Sequence, residues 1–144
     1  LHWMVHSFPT RRSSDLNVVH VYDLVDWVTL AGEVAGRSAA DYALGRRRPV
    51  QARLRTVAGE NVRYVVPQWF DPNSLEEGPQ QLQLRVRSPV EEKVKVVVSA
   101  DGEEVVRKTE RYVRPGEMIT VRLTQDLAGR LRSAHELRVS VVKQ

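Results

Sequence analysis

The hydrophobic period of this chain changes once, at Arg46-Arg47-Arg48-Pro49, and that change constrains the fold more than any other feature. Before it, small and apolar residues recur every three to four positions. After it they alternate with a period of two, and a helical pattern does not settle as a strand or the reverse. Pro49 forbids continuation of a helix, so residues 46–49 read as a linker between a helical segment and a β-region at 50–144.

The segment 17–45 predicts a short strand and one long helix. Asn17-Val18-Val19-His20-Val21-Tyr22 is β-branched and too short for a helix of its own. Asp23 and Asp26 are both candidate N-caps, and with Thr29 and Glu33 they fill the first turns with residues a positive helix end favours. Gly45 is the expected stop. Within the helix Ala31, Gly32, Ala35, Gly36, Ala39, Ala40 and Ala43 form a small-residue stripe opposite Glu33, Arg37 and Asp41. Each interior glycine costs roughly 1 kcal/mol relative to alanine, so close backbone approach on this stripe is expected as compensation.

In the β-region the expected strands are Val50 to Val57, Val62 to Pro67, Gln81 to Ser88, Lys93 to Ala100, Glu103 to Thr109, Met118 to Thr124 and Leu137 to Lys143. Leu82, Leu84 and Val86 alternate with Gln83, Arg85 and Arg87, and Val94, Val96 and Val98 with lysines, which buries one face of each strand. Asp101-Gly102 has the sequence of a type I′ hairpin, and Ala58-Gly59-Glu60-Asn61 marks another turn. Regularly spaced short strands predict a mainly β fold, an antiparallel immunoglobulin-like β-sandwich behind one long α-helix. Without cysteine the inter-sheet disulfide of such domains is absent, so the expectation is of architecture alone.

The lack of cysteine also excludes thiolate zinc, iron–sulfur and cysteine-nucleophile chemistry, and suggests a cytoplasmic setting. A net charge of +4 with 28% charged residues is ordinary for a globular chain. The four histidines, His2, His6, His20 and His135, have no ligand spacing, so no metal site is expected. Asp71, Glu76 and Glu77 read as a solvated loop flanked by Pro72 and Gly78.

Ser7-Phe8-Pro9-Thr10-Arg11-Arg12-Ser13-Ser14-Asp15-Leu16 resembles the translation of a sequencing-adapter oligonucleotide, so residues 1–16 are expected to be an artefactual leader joined to natural sequence near Asn17.

The constellation at 17–44 resembles the last strand and helix of the flavin-binding domain in FAD/NAD(P)-dependent oxidoreductases of the pyridine nucleotide–disulfide oxidoreductase superfamily. Glu33-Val34-Ala35-Gly36-Arg37-Ser38-Ala39-Ala40 is similar to that family's helix motif. His20-Val21-Tyr22-Asp23-Leu24-Val25-Asp26 is similar to a His-Val-His-Asp-Leu-Val-Asp stretch in a bacterial branch carrying an extra C-terminal β-domain, from which Tyr22 departs. Val65-Val66-Pro67-Gln68, Arg85-Val86-Arg87 and Pro115-Gly116-Glu117-Met118 are shorter echoes of that branch's β-domain. The resemblance implies that Asn17 ends a strand beside the flavin, and that Asp26, Trp27, Val28 and Thr29 bring the positive helix end to the isoalloxazine. Such an end suits electron-rich groups.

The same resemblance implies FAD as cofactor in an intact parent, NAD(P) as its redox partner, and N-terminal dinucleotide-binding domains as partners of this segment. No Gly-x-Gly-x-x-Gly turn occurs in the sequence, so the chain is expected to be a C-terminal remnant that is not catalytically competent alone. The β-domain would then dock a partner subunit or a second copy. Two alternatives stand beside this. One is a non-catalytic β-sandwich interaction module. The other is a basic nucleic-acid binder built on Arg46, Arg47, Arg48, Arg53, Arg55 and Arg63, which lacks interleaved aromatics for base stacking.

Overall fold

A computed structural model describes residues 20–46 and 53–144. The chain divides into two compact units, Leu1–Pro49 and Val50–Gln144. Asn17, the leader 1–16, and Arg47, Arg48 and Val50 lie outside the described residues.

In the first unit the helix α1 runs Val25–Ala43. Neither expected cap is used. Leu24, in extended conformation, is the N-cap residue, and no side chain caps the helix. Asp23 precedes the cap position, while Asp26 already lies in the first turn, where its charge faces the positive helix end. The Leu24 carbonyl instead accepts from the N–H groups of Trp27 and Val28 at 3.1 and 3.3 Å. At the other end Gly45, at φ 66°, terminates the helix as its sequence predicts. No residue of α1 is buried, and an added Cβ on Gly36 would have nothing within 4 Å. The close approach expected on the small-residue stripe is therefore absent at Gly36.

The second unit is built from β1 (Leu54–Ala58), β2 (Val62–Val66), β3 (Trp69–Phe70), β4 (Gln80–Val86), β5 (Val94–Ala100), β6 (Glu103–Glu110), β7 (Ile119–Leu123) and β8 (Glu136–Lys143), with a short helix α2 (Ala128–Arg132) before β8. The strands form a five-stranded sheet, β3-β1-β8-β5-β6, and a three-stranded sheet, β2-β4-β7. Their apolar faces share one core that includes Leu54, Val65, Leu82, Leu84, Val86, Val94, Val96, Val98, Val121, Leu123, Leu137 and Val139. Each such side chain contributes roughly 1.5–3 kcal/mol by leaving water, so this alternation is what selects the strand faces.

Pairing is antiparallel except between β1 and β8, which run parallel with Arg55 opposite Glu136 and Ala58 opposite Val139. The larger sheet is thus mixed, where a purely antiparallel arrangement was expected. A parallel pair needs a long crossover, and here almost the whole unit lies between the two strands. Gly59 carries the chain from one sheet to the other, and a Cβ there would stand 3.0 Å from the Val139 carbonyl and collide with the Ser140 hydroxyl. Only glycine fits that crossing without displacing its neighbours.

The segment expected as a solvated loop is ordered. Pro72–Glu76 forms a 3-10 helix whose N-cap, Asp71, accepts the Asn73 N–H at 3.0 Å, and Pro72 and Leu75 are buried in the core region. Glu76 pairs with Arg132 of α2, tying the two short helical pieces together.

Candidate functional site

The N-terminus of α1 is the site the sequence singles out. Asp26 and Thr29 are exposed, whereas Trp27 and Val28 are half-buried. The Thr29 hydroxyl donates to the Val25 carbonyl at 3.0 Å, and the N–H groups of Trp27 and Val28 are taken by Leu24. The donors left at the open first turn belong to Val25 and Asp26, because the first N–H groups of any helix have no intrahelical acceptor. Of the residues expected to meet a flavin, Asp26 is therefore the one whose backbone N–H is placed to reach an external acceptor, and Asn17 lies outside the described residues.

Just before the helix, His20 is 2% exposed and meets the ring of Tyr22 edge-on, with centroids 5.0 Å apart and planes at 66°. That geometry is the favoured one for aromatic pairs. Burial pushes the Tyr22 hydroxyl above the usual tyrosine range, so it stays protonated and can donate a hydrogen bond at neutral pH. Position 22, where the sequence departs from the resembled branch, is thus part of the local packing.

In the second unit the motifs quoted from the sequence come together in space. Arg85 of β4 donates from Nη1 to the carbonyls of Pro115, at 3.2 Å, and of Gly116. Arg87 donates from Nε to the Val62 carbonyl at 2.9 Å. The Pro67 carbonyl accepts the Thr56 hydroxyl, and the neighbouring Gln68 carbonyl accepts the Thr56 N–H at 2.9 Å. These contacts bind β1, β2, β4 and the turn before β7 to one another, so the chemistry of these motifs is that of a scaffold.

A shallow cleft of about 250 Å³ opens between the start of β6 and α2, lined by Ala100, Asp101, Glu103, Val105, Arg130, Ser133 and Ala134. Its polar groups are already engaged. Arg130 lies 3.4 Å from the Glu103 carboxylate, the Ser133 hydroxyl donates to the Arg130 carbonyl at 3.1 Å, and Asp101 accepts from the turn into β8. Asp101 stands beside His135, with Ser133 two residues away, but the Ser133 proton is directed at a carbonyl, so no activated nucleophile is formed. Sequence reasoning did not single out this cleft, because its lining comes from two stretches some twenty-five residues apart, 100–105 and 130–134.

The arginines of the basic run do not share one sheet. Arg55 belongs to β1 of the larger sheet and Arg63 to β2 of the smaller one. Among the described residues no group of acidic and histidine side chains could hold a metal ion, and no helix is long and apolar enough to cross a membrane. The sequence matches no protein-family model, and neither a curated protein nor a solved structure matches it.

Proposed function

We propose that this chain is the C-terminal part of a flavin-dependent, NAD(P)-linked oxidoreductase of the pyridine nucleotide–disulfide oxidoreductase superfamily. Residues 17–45 would be the terminal strand and helix of its FAD-binding domain, with an immunoglobulin-like docking β-domain at 50–144. The observation that carries the reading is the state of α1. A 19-residue helix has no buried residue, leaves Val25 and Val34 at 78% and 64% exposure, and carries no side-chain cap on its N-terminus. Exposed apolar surface on this scale calls for a covering partner, and an uncapped helix end calls for an acceptor. Absent dinucleotide-binding domains that hold FAD would supply both.

In that arrangement the chain's own contribution is positional. Asp26 and its neighbours at the open turn orient the pyrimidine edge of the isoalloxazine, and bound FAD supplies the hydride chemistry. The test is to express the coding sequence extended upstream of Asn17 beside the present chain. The extended protein is expected to purify yellow and to bleach with reduced nicotinamide cofactor, while the present chain retains no flavin. An extended protein that holds no flavin, or tight FAD binding by the present chain alone, overturns the proposal.

One observation favours a second reading, a non-catalytic interaction module. Residues 50–144 form a compact unit with a continuous core of their own. The same expression experiment separates the two, since a module needs no flavin at any length.

A further inference from the structure

The outer edge of the larger sheet carries a charge pattern that complements itself. β6 ends that sheet, pairing with β5 on one side, and among the described residues no strand pairs with its other side. Its sequence from 103 is Glu-Glu-Val-Val-Arg-Lys. Read against its own reverse, each glutamate meets a cation and the valines meet each other.

Sequence symmetry alone is insufficient, because a two-fold axis normal to a sheet preserves faces, and in a regular strand Glu104 and Arg107 would point to opposite faces. The structure removes this obstacle. The register steps from Val98 opposite Val106 to Ser99 opposite Glu104, which leaves Val105 as the extra residue of a bulge. The bulge brings Glu104 and Arg107 to one face, where the Arg107 Nε donates to Glu104 at 2.8 Å. The bulge thereby gives this six-residue run the parity that a symmetric pairing requires. The Glu104 carbonyl accepts from the Arg130 side chain at 3.3 Å.

We propose that β6 pairs antiparallel with β6 of a second copy of this chain, about a two-fold axis through the Val105–Val106 bulge, setting Glu104 against the partner's Arg107 and Glu103 against the partner's Lys108. The contact is isologous, so each ion pair forms twice. On association Arg107 and Glu104 exchange their partner within the strand for the equivalent group across the axis. Arg130 leaves the Glu104 carbonyl to the partner's backbone. A ribbon this short lies at or below the small end of specific interfaces, roughly 1,200 Å², so reversible and salt-sensitive association is expected. The inference does not rest on the flavin reading, and loss of that reading leaves it standing.

Sedimentation of the full chain over a concentration series tests it. Wild type is expected to dimerise reversibly, and less so in high salt. Glu104→Arg and Arg107→Glu each place like charges across the axis and are expected to weaken association at least ~10-fold. An equimolar mixture of the two variants is expected to recover the dimer, because the two cations at positions 104 and 107 of one then face the two anions at those positions of the other, while Glu103 and Lys108 keep their pairing. Both positions are on the surface, and recovery on mixing shows that each variant is folded. Wild type that remains monomeric up to ~1 mM, association that ignores both reversals, or variants that fail to recover on mixing each overturn the proposal.

Discussion

The carboxylate of Asp101 organises the backbone at His135: Asp101 Oδ1 accepts the N–H groups of His135 and Glu136 at 3.1 and 2.9 Å, and His135 Nδ1 lies 3.2 Å from Oδ2. A hairpin residue at φ 48° thus fixes the start of β8, the strand at the centre of the larger sheet. The acceptor role explains why the Asp101 carboxyl is held below the ordinary range, first by the Glu136 N–H, then by the N–H of His135 and its ring.

A pH dependence follows from that lowering. A carboxyl depressed in the folded state contributes stability above its unfolded value, about 3.9, and loses it as pH falls through the lower folded value. Asp101→Asn keeps a residue that tolerates the left-handed turn and removes the charge. Thermal melts should show wild type above the variant from neutral pH down to about pH 5. The margin should shrink in stronger acid, and a margin unchanged down to pH 2 would count against the carboxylate's role.

At the crossing between the sheets, Gly59→Ala drives a methyl into the Ser140 hydroxyl and against the Val139 carbonyl, 3.0 Å from the ideal Cβ position. Overpacking of this kind costs about 1–3 kcal/mol, read as a lowered denaturation midpoint. The serine hydroxyl is removable and the carbonyl is not. Ser140→Ala in the Gly59→Ala background is therefore expected to restore part of the loss, and full restoration would show that the backbone is not the obstacle.

Leu84 sits at zero exposure in the middle strand of the smaller sheet, between β2 and β7. Leu84→Ala is expected to destabilise the β-unit by about 2–5 kcal/mol through lost transfer energy and a residual cavity. Denaturant unfolding followed by circular dichroism measures it. Val34→Ala, on the exposed surface of α1, is the control and should leave the same transition within about 0.5 kcal/mol.

How much was legible in the sequence follows from the range of the forces involved. The alternation through Leu82, Leu84 and Val86 and through Val94, Val96 and Val98 reports burial of one face, and those strands lie where it puts them. Trp69–Phe70 is too short to show any period, and its pairing with Leu54 and Arg55 is decided by a strand more than ten residues away. Adjacent Val105 and Val106 broke the alternation and were in fact the mark of the bulge. Leu127, Ala128 and Leu131 carried the helical spacing of the turns before β8, in a stretch read only for its strands. The parallel pairing of β1 with β8 and the gathering of Arg85 on the Pro115–Gly116 turn are products of long-range closure, which no local pattern encodes.

Gly36 separates the isolated helix from its proposed place in a flavoenzyme. In the present chain its Cβ position is open and its backbone is helical, so Gly36→Ala removes only the entropic cost of glycine. It should raise helix stability by about 0.5–1 kcal/mol, visible as helical ellipticity lost at higher temperature. In the extended protein, the stripe of Ala35, Gly36, Ala39 and Ala40 would pack against the dinucleotide-binding domains, and side-chain volume would then be penalised where it was harmless. Gly36→Leu is therefore expected to cost the extended protein its flavin while leaving the present chain folded. Equal tolerance of leucine in both would mean that nothing closes over this face, and would remove the reason for assigning α1 to a cofactor-binding domain.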